Sequence, residues 1–137
     1  MGPSAAGAVV LITCPFSDLS DAKVRPAVAL APAGRGDWIV CQVTSRPYGD
    51  ETSIQIQPED FSEGSLNRVS YVRPLKLFTT SPVLLHGEVG GLTVERTAQI
   101  VETIARTLVR GIWLNPNWMP DIDSPLFRLG AGQILEP

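Results

Sequence analysis

Twelve glycines and twelve prolines fall within 137 residues, about one residue in six. No other feature narrows the fold so far. Proline removes a backbone donor and clashes with the preceding turn of a helix, and glycine weakens helix and strand interiors alike. A helix bundle does not tolerate breakers at this density, so short strands joined by turns are favoured. Hydrophobic residues make up 44% and charged residues 18%, with a mean hydropathy of +0.12. That balance excludes wholesale disorder. The length fits one domain with no room for a second full core.

Between the breakers lie the expected strands. Ala8–Cys14 (AVVLITC) is an apolar, β-branched run stopped by Pro15, fit for a buried first strand. Residues 15–24 carry Ser17, Asp18, Ser20 and Asp21 and read as a loop. Pro26–Ala31 predicts a second strand and Asp37–Thr44 a third, joined by the turn Pro32-Ala33-Gly34-Arg35-Gly36. Ser53–Gln57 alternates Ile54 and Ile56 with polar neighbours, the mark of a half-exposed strand. Pro58–Asn67 is polar and turn-rich. Val69–Arg73 and Leu75–Thr79 predict two more short strands, separated by Pro74.

One helix stands out, from about Val94 to Arg110. Val94, Ala98, Val101, Ile104, Ala105, Leu108 and Ile112 recur at three- and four-residue spacing as a single apolar stripe. Thr93 is placed to cap its start and Gly111 to stop it in the left-handed conformation. Five or six strands followed by one helix predict a mainly β fold: a small, strongly bent antiparallel sheet or open barrel with a C-terminal helix. Asn115–Pro137 has four prolines and no periodicity, yet carries Trp118, Met119, Ile122, Leu126 and Phe127. Such a segment is expected to lie extended on the domain, with Trp118 and Phe127 as anchors and Trp113 at the start of the contact. The expected division is a domain at 7–112 and a packed, proline-rich extension at 113–137.

Charge and cysteine usage narrow the chemistry. A net charge of −3 argues against a general basic coat for nucleic acid but leaves room for a local basic groove. Seven of the eleven basic residues lie between 23 and 76, where six acids leave an excess of only one. A groove must therefore come from folding, with bases on one face and acids on another. Cys14 and Cys41 sit in apolar runs, outside any metal-ligand spacing, and His86 is the sole histidine. No zinc site is expected, and no metal or cofactor. No apolar run is long enough to cross a membrane, and the N-terminus has no charged leader region. A cytoplasmic location is the expectation.

Four segments in order resemble the MazF/PemK (Kid-like) toxins of bacterial type II toxin–antitoxin systems. The first is Val9-Val10-Leu11-Ile12 running into Pro15-Phe16-Ser17-Asp18-Leu19-Ser20, and the second is Arg25-Pro26-Ala27-Val28-Ala29-Leu30. The third is Ile39-Val40-Cys41-Gln42-Val43-Thr44-Ser45. The fourth is Ser70-Tyr71-Val72-Arg73-Pro74-Leu75-Lys76-Leu77-Phe78, followed by the helix. The resemblance implies an SH3-like, strongly bent barrel acting as a homodimer. It also implies a sequence-preferring, metal- and ribosome-independent endoribonuclease toxin that cuts single-stranded RNA and is neutralised by an antitoxin. Carried over residue by residue, the family's catalytic arginine and threonine match Arg25 and Thr44. The chain departs from the family at Ala8, where an aspartate is usual, at Arg46, where glutamine is common, and in its extension.

The chemistry suits these residue types. Attack by the RNA's own 2′-hydroxyl needs no external nucleophile, but it does need stabilisation of the charge that builds on phosphorus. An arginine fork can supply two charge-assisted hydrogen bonds there, and arginine is too weak an acid to serve as a base. Arg25 is therefore expected to stabilise charge and Thr44 to orient the phosphate. RNA contacts are expected from Phe16 and Tyr48 by stacking and from Lys23, Ser45, Arg46, Arg73 and Lys76 by charge or hydrogen bonding. His86 is expected to be a loop or strand-edge residue. Two other readings fit the same segments: a catalytically degenerate homologue acting by protein interaction, and a gyrase poison of the CcdB type.

Overall fold

The computed structural model describes residues 2–13, 23–47, 49–119 and 121–128. Seven strands form one antiparallel sheet: β1 (Ala8–Thr13), β2 (Val24–Gly34), β3 (Asp37–Thr44), β4 (Ile54–Ile56), β5 (Phe61–Gly64), β6 (Ser70–Thr80) and β7 (Leu85–Leu92). A single long helix, α1 (Val94–Trp113), follows. The strand order across the sheet is β4-β6-β3-β2-β1-β7-β5. β4 and β5 are thus opposite edges that do not pair, and the sheet is not closed. Only Gln57–Asp60 separates them along the chain, a reach of at most about 18 Å. The sheet must therefore curl until its two edges nearly meet.

β1 lies inside the sheet, between β2 and β7, and this explains its unbroken apolar run: both of its faces are covered. Val9 joins Val28, Cys41, Val43, Ile54, Ile56, Val72 and Leu92 on one face, where Ile100 of α1 completes the cluster. Ala8, Val10 and Ile12 join Ala27, Ala29 and Val40 on the other, with Trp38, Phe78 and Leu85 packed against them. Cys41 is buried and free, and that burial pushes its thiol up to about 12, so it is inert at neutral pH. Cys14 lies outside the described residues.

Several expectations need correction. Pro74 does not end a strand. β6 is continuous, and it absorbs the proline in a bulge: Cys41 pairs with Leu77 and the next residue, Gln42, with Arg73. Three residues of β6 are thereby left out of register, which places the missing N–H where no ladder bond is needed. β5 arises in a segment that reads as turn, and β7 in one with no strand pattern. Their shared backbone explains both. Gly64 has φ +66°, and a Cβ there would collide with the Val89 carbonyl and lie 2.6 Å from Gly90 Cα.

Thr93 caps α1 as expected, its hydroxyl accepting from Arg96 N–H at 3.2 Å. The helix runs through Gly111 to Trp113, and Leu114 ends it, so Gly111 is helical and not the stop. Only part of the apolar stripe is buried. Ile100 and Ile104 pack into the core, whereas Val94, Val101 and Leu108 are 80%, 44% and 66% exposed. The helix's apolar arc spans about half its circumference, and the sheet covers one edge of it.

Past the helix, Trp113 Nε1–H donates to the Leu126 carbonyl at 3.2 Å. Its ring meets Trp118 edge-on, with centroids 5.4 Å apart, and Phe127 at 5.7 Å. The segment expected to be extended turns helical at 125–128.

Candidate functional site

Pairing of β2 with β3 brings the expected catalytic residues together. Ala27 lies opposite Gln42. Arg25 stands two residues before Ala27 and Thr44 two residues after Gln42, so both project from the same face at the same end of the pair. Across β3, Gln42 faces Arg73 and Thr44 faces Tyr71 on β6. One sheet face therefore carries Arg25, Gln42, Thr44, Tyr71 and Arg73 as a polar patch beyond the apolar rows of Ala27 and Val40.

Arg25 and Thr44 also line one open cavity of about 290 Å³. Leu11, Pro26, Val43 and Leu66 supply its apolar walls, and Ser45, Asn67, Arg68 and Ser70 its polar ones. Among the described lining residues there is no carboxylate. In a chain with net charge −3, that is a local inversion of sign, suited to an anion.

Hydrogen bonds fix the orientation of several groups. Thr44 Oγ1 accepts from the Arg46 N–H at 3.1 Å, a turn closed by side chain onto backbone. Its hydroxyl proton remains available to donate. Arg73 Nε donates to Asp50 Oδ2 at 3.0 Å and its Nη1 to Gln42 Oε1 at 3.2 Å. Asp50 Oδ1 accepts from both the backbone N–H and the hydroxyl of Thr52, at 2.9 and 2.7 Å. The Thr52 hydroxyl, together with Arg73, holds the Asp50 carboxyl below its ordinary range.

Of the described residues expected to contact RNA, Ser45 alone lines this cavity with Arg25 and Thr44. Arg46 and Lys23 are exposed and outside the described lining. Arg73 shares the sheet face but is engaged by Asp50, and Lys76 sits half-buried in the β6 bulge. Phe16 and Tyr48 lie outside the described residues. Leu66, Asn67 and Arg68 were not expected here. They belong to the loop between β5 and β6, and no local pattern marks a loop that gains its place by folding back. His86 is exposed on β7, its Nε2 2.7 Å from Thr13 Oγ1.

No cluster of three or more His, Cys, Asp or Glu side chains that could hold a metal occurs among the described residues. No helix among them is long and apolar enough to cross a membrane.

Comparison with known proteins follows the same lines. The fold is similar to MazF from Deinococcus radiodurans, with TM-score 0.60, 19% identity, and coverage of 79% of this chain and 97% of that one. It is also similar to the Mycobacterium tuberculosis toxin MazF-mt6, at TM-score 0.57 and 18% identity over 74% of this chain and 95% of that one. A third likeness is to a mycobacterial endoribonuclease in complex with its cognate antitoxin, at TM-score 0.57 and 16% identity over 79% and 95% of the two chains. At these identities the likeness establishes the fold alone. No curated protein sequence matches significantly. The sequence profile of the PemK-like, MazF-like toxins of type II toxin–antitoxin systems matches residues 5–108. With three quarters of its length so matched, and with the fold to go with it, the chain belongs to that family of toxins.

Proposed function

We propose that this chain is an endoribonuclease toxin that cleaves single-stranded RNA at preferred sequences, works as a homodimer and is silenced by a protein antitoxin. The observation that carries the reading is the cavity in which Arg25 and Thr44 meet, with Arg68 in the same lining and no carboxylate among the described residues around it. In the reaction, the 2′-oxygen gives up its proton and bonds to phosphorus. The bond from phosphorus to the 5′-oxygen breaks, and that oxygen is protonated. Arg25 stabilises the charge on the phosphorane oxygens with its two-pronged donor. Thr44, held by Arg46 N–H, donates its hydroxyl proton to a phosphate oxygen and fixes the orientation. Ser45 and Arg68 extend the anion contacts along the strand. The antitoxin reading is supported by solved complexes of related fold, among them MazE–MazF from Deinococcus radiodurans.

The chemistry predicts fragments with a 2′,3′-cyclic phosphate, or its hydrolysed 3′-phosphate, and a 5′-hydroxyl. Purified protein incubated with a long mixed RNA in EDTA should produce them, and Arg25→Ala should not. Cleavage of an all-deoxy strand, or dependence on Mg²⁺, would overturn the mechanism. Folded protein that binds an antitoxin yet leaves RNA intact would overturn the enzymatic reading.

A further inference from the structure

The cavity that holds Arg25 and Thr44 contains more than the phosphate chemistry uses. Leu11, Pro26, Val43 and Leu66 give it apolar walls, and Asn67 joins them in the lining. Its volume of about 290 Å³ is roughly ten times a water molecule's share of the liquid, about 30 Å³. One phosphate group does not fill it. Asn67 is fixed from both sides. Leu66 before it packs against the core. The carbonyl of Arg68 after it accepts from the Ser70 hydroxyl at 3.0 Å, and Ser70 is buried at the start of β6. Between these anchors the exposed Asn67 amide makes no hydrogen bond among the described residues. It therefore presents both a donor and an acceptor to whatever enters the cavity.

Two properties of that amide decide what it can recognise. It is neutral, so beside Arg25 and Arg68 it adds little to the hold on a phosphate, which charged forks grip best. It carries donor and acceptor side by side, the complement of a nucleobase edge, where the same two functions adjoin. The apolar walls suit the faces of a base swung out of its strand. Such splaying costs least in a strand that is already single.

We propose that the apolar part of this cavity is a base-reading subsite and that Asn67 is its specificity-determining residue, selecting a nucleotide that flanks the scissile phosphate. The inference rests on the endoribonuclease reading above and deepens it. Arg25 and Thr44 act on a phosphate that every RNA shares, whereas Asn67 addresses the part in which one site differs from another.

The test begins by mapping wild-type cleavage sites on a long mixed RNA. Short RNAs carrying the preferred site are then varied one nucleotide at a time on each side of the scissile bond. For each, kcat/KM is measured with wild type, Asn67→Ala and Asn67→Asp, and circular dichroism confirms that the variants fold. Asn67→Ala should flatten the preference at one flanking position by about tenfold, the discrimination of one bidentate pair, and leave preferences farther away intact. Asn67→Asp exchanges the donor for a second acceptor. Among the four bases only guanine offers two adjacent donors, N1–H and N2–H₂, so this variant should raise the relative rate on guanine at that position. Both readouts are ratios between substrates, which a general loss of folding or rate leaves unchanged. A wild type that cuts no RNA would overturn the nuclease reading and the subsite with it. A wild type that cuts, with Asn67 variants that keep its preference or slow every substrate equally, would overturn the subsite alone.

Discussion

At Thr44 a single hydrogen bond decides what the side chain can do. Because Oγ1 already accepts from Arg46 N–H, the hydroxyl is left to donate, and a methyl in its place can do neither. Thr44→Val should therefore lower kcat roughly 10²-fold, the scale of one lost transition-state donor, while Thr44→Ser keeps most of the activity. Initial rates on a short fluorogenic RNA would separate the two. Asp50 supports a different prediction. Its folded pKa lies below the unfolded value of about 3.9, so the stability it contributes is full above that pH and fades as pH falls through the folded value. Wild type should melt higher than Asp50→Asn at pH 7, and the difference should shrink at a pH below the unfolded value. Thermal melts of both proteins at the two pH values check it. The roles proposed for Arg25 and Thr44 come only from the family resemblance, since neither residue type announces a site. That they meet follows from the β2–β3 register. Asn67 was not legible at all, and Arg68 only as one of the seven bases between 23 and 76, because loop residues reach the cavity through the path of the β5–β6 connection and not through any periodicity.

Among the elements, those whose own residues decide their state were readable. β3 occupies the expected Asp37–Thr44, and α1 begins where Thr93 caps it. β5 and β7 were not readable, because glycine-rich and polar strands exist by virtue of their partners. Gly64 shows what that partnership demands. It sits at positive φ, directly against the Val89–Gly90 backbone. Gly64→Ala adds both strain and a collision with main chain, which cannot rotate away. The substitution should cost roughly 1–3 kcal/mol, read as a lower urea midpoint, with hydrogen exchange rising first at β5. The cap is a smaller matter: Thr93→Ala should cost about 1 kcal/mol. A shared tie protects that corner, since Arg96 Nε pairs with Asp60 Oδ1 at 2.9 Å and the Thr93 N–H donates to the Asp60 carbonyl, also at 2.9 Å. Desolvation alone would raise the Asp60 carboxyl, but its hydrogen bonds from Arg96 and the Gln57 N–H prevail and hold it low.

Across the whole molecule, the described residues after α1 add apolar contact at one end of the helix, and none of them lines the described site. Deleting residues 115–137 should lower the melting temperature and leave Arg25-dependent cleavage in place. Equal stability with markedly higher activity would show instead that the segment restrains the site. The sheet order has a further consequence, one of timing. β1 is made first, yet it waits for β7 to cover its second edge. Arg25 and Thr44 leave the ribosome long before Leu92 does. At about 5–20 residues per second, 67 residues of further synthesis separate Arg25 from Leu92, an interval of roughly 3–13 s. Through that interval the nascent chain holds Arg25 and Thr44 without the completed sheet that positions them. Protease protection of stalled chains should accordingly appear only once β7 and α1 have emerged.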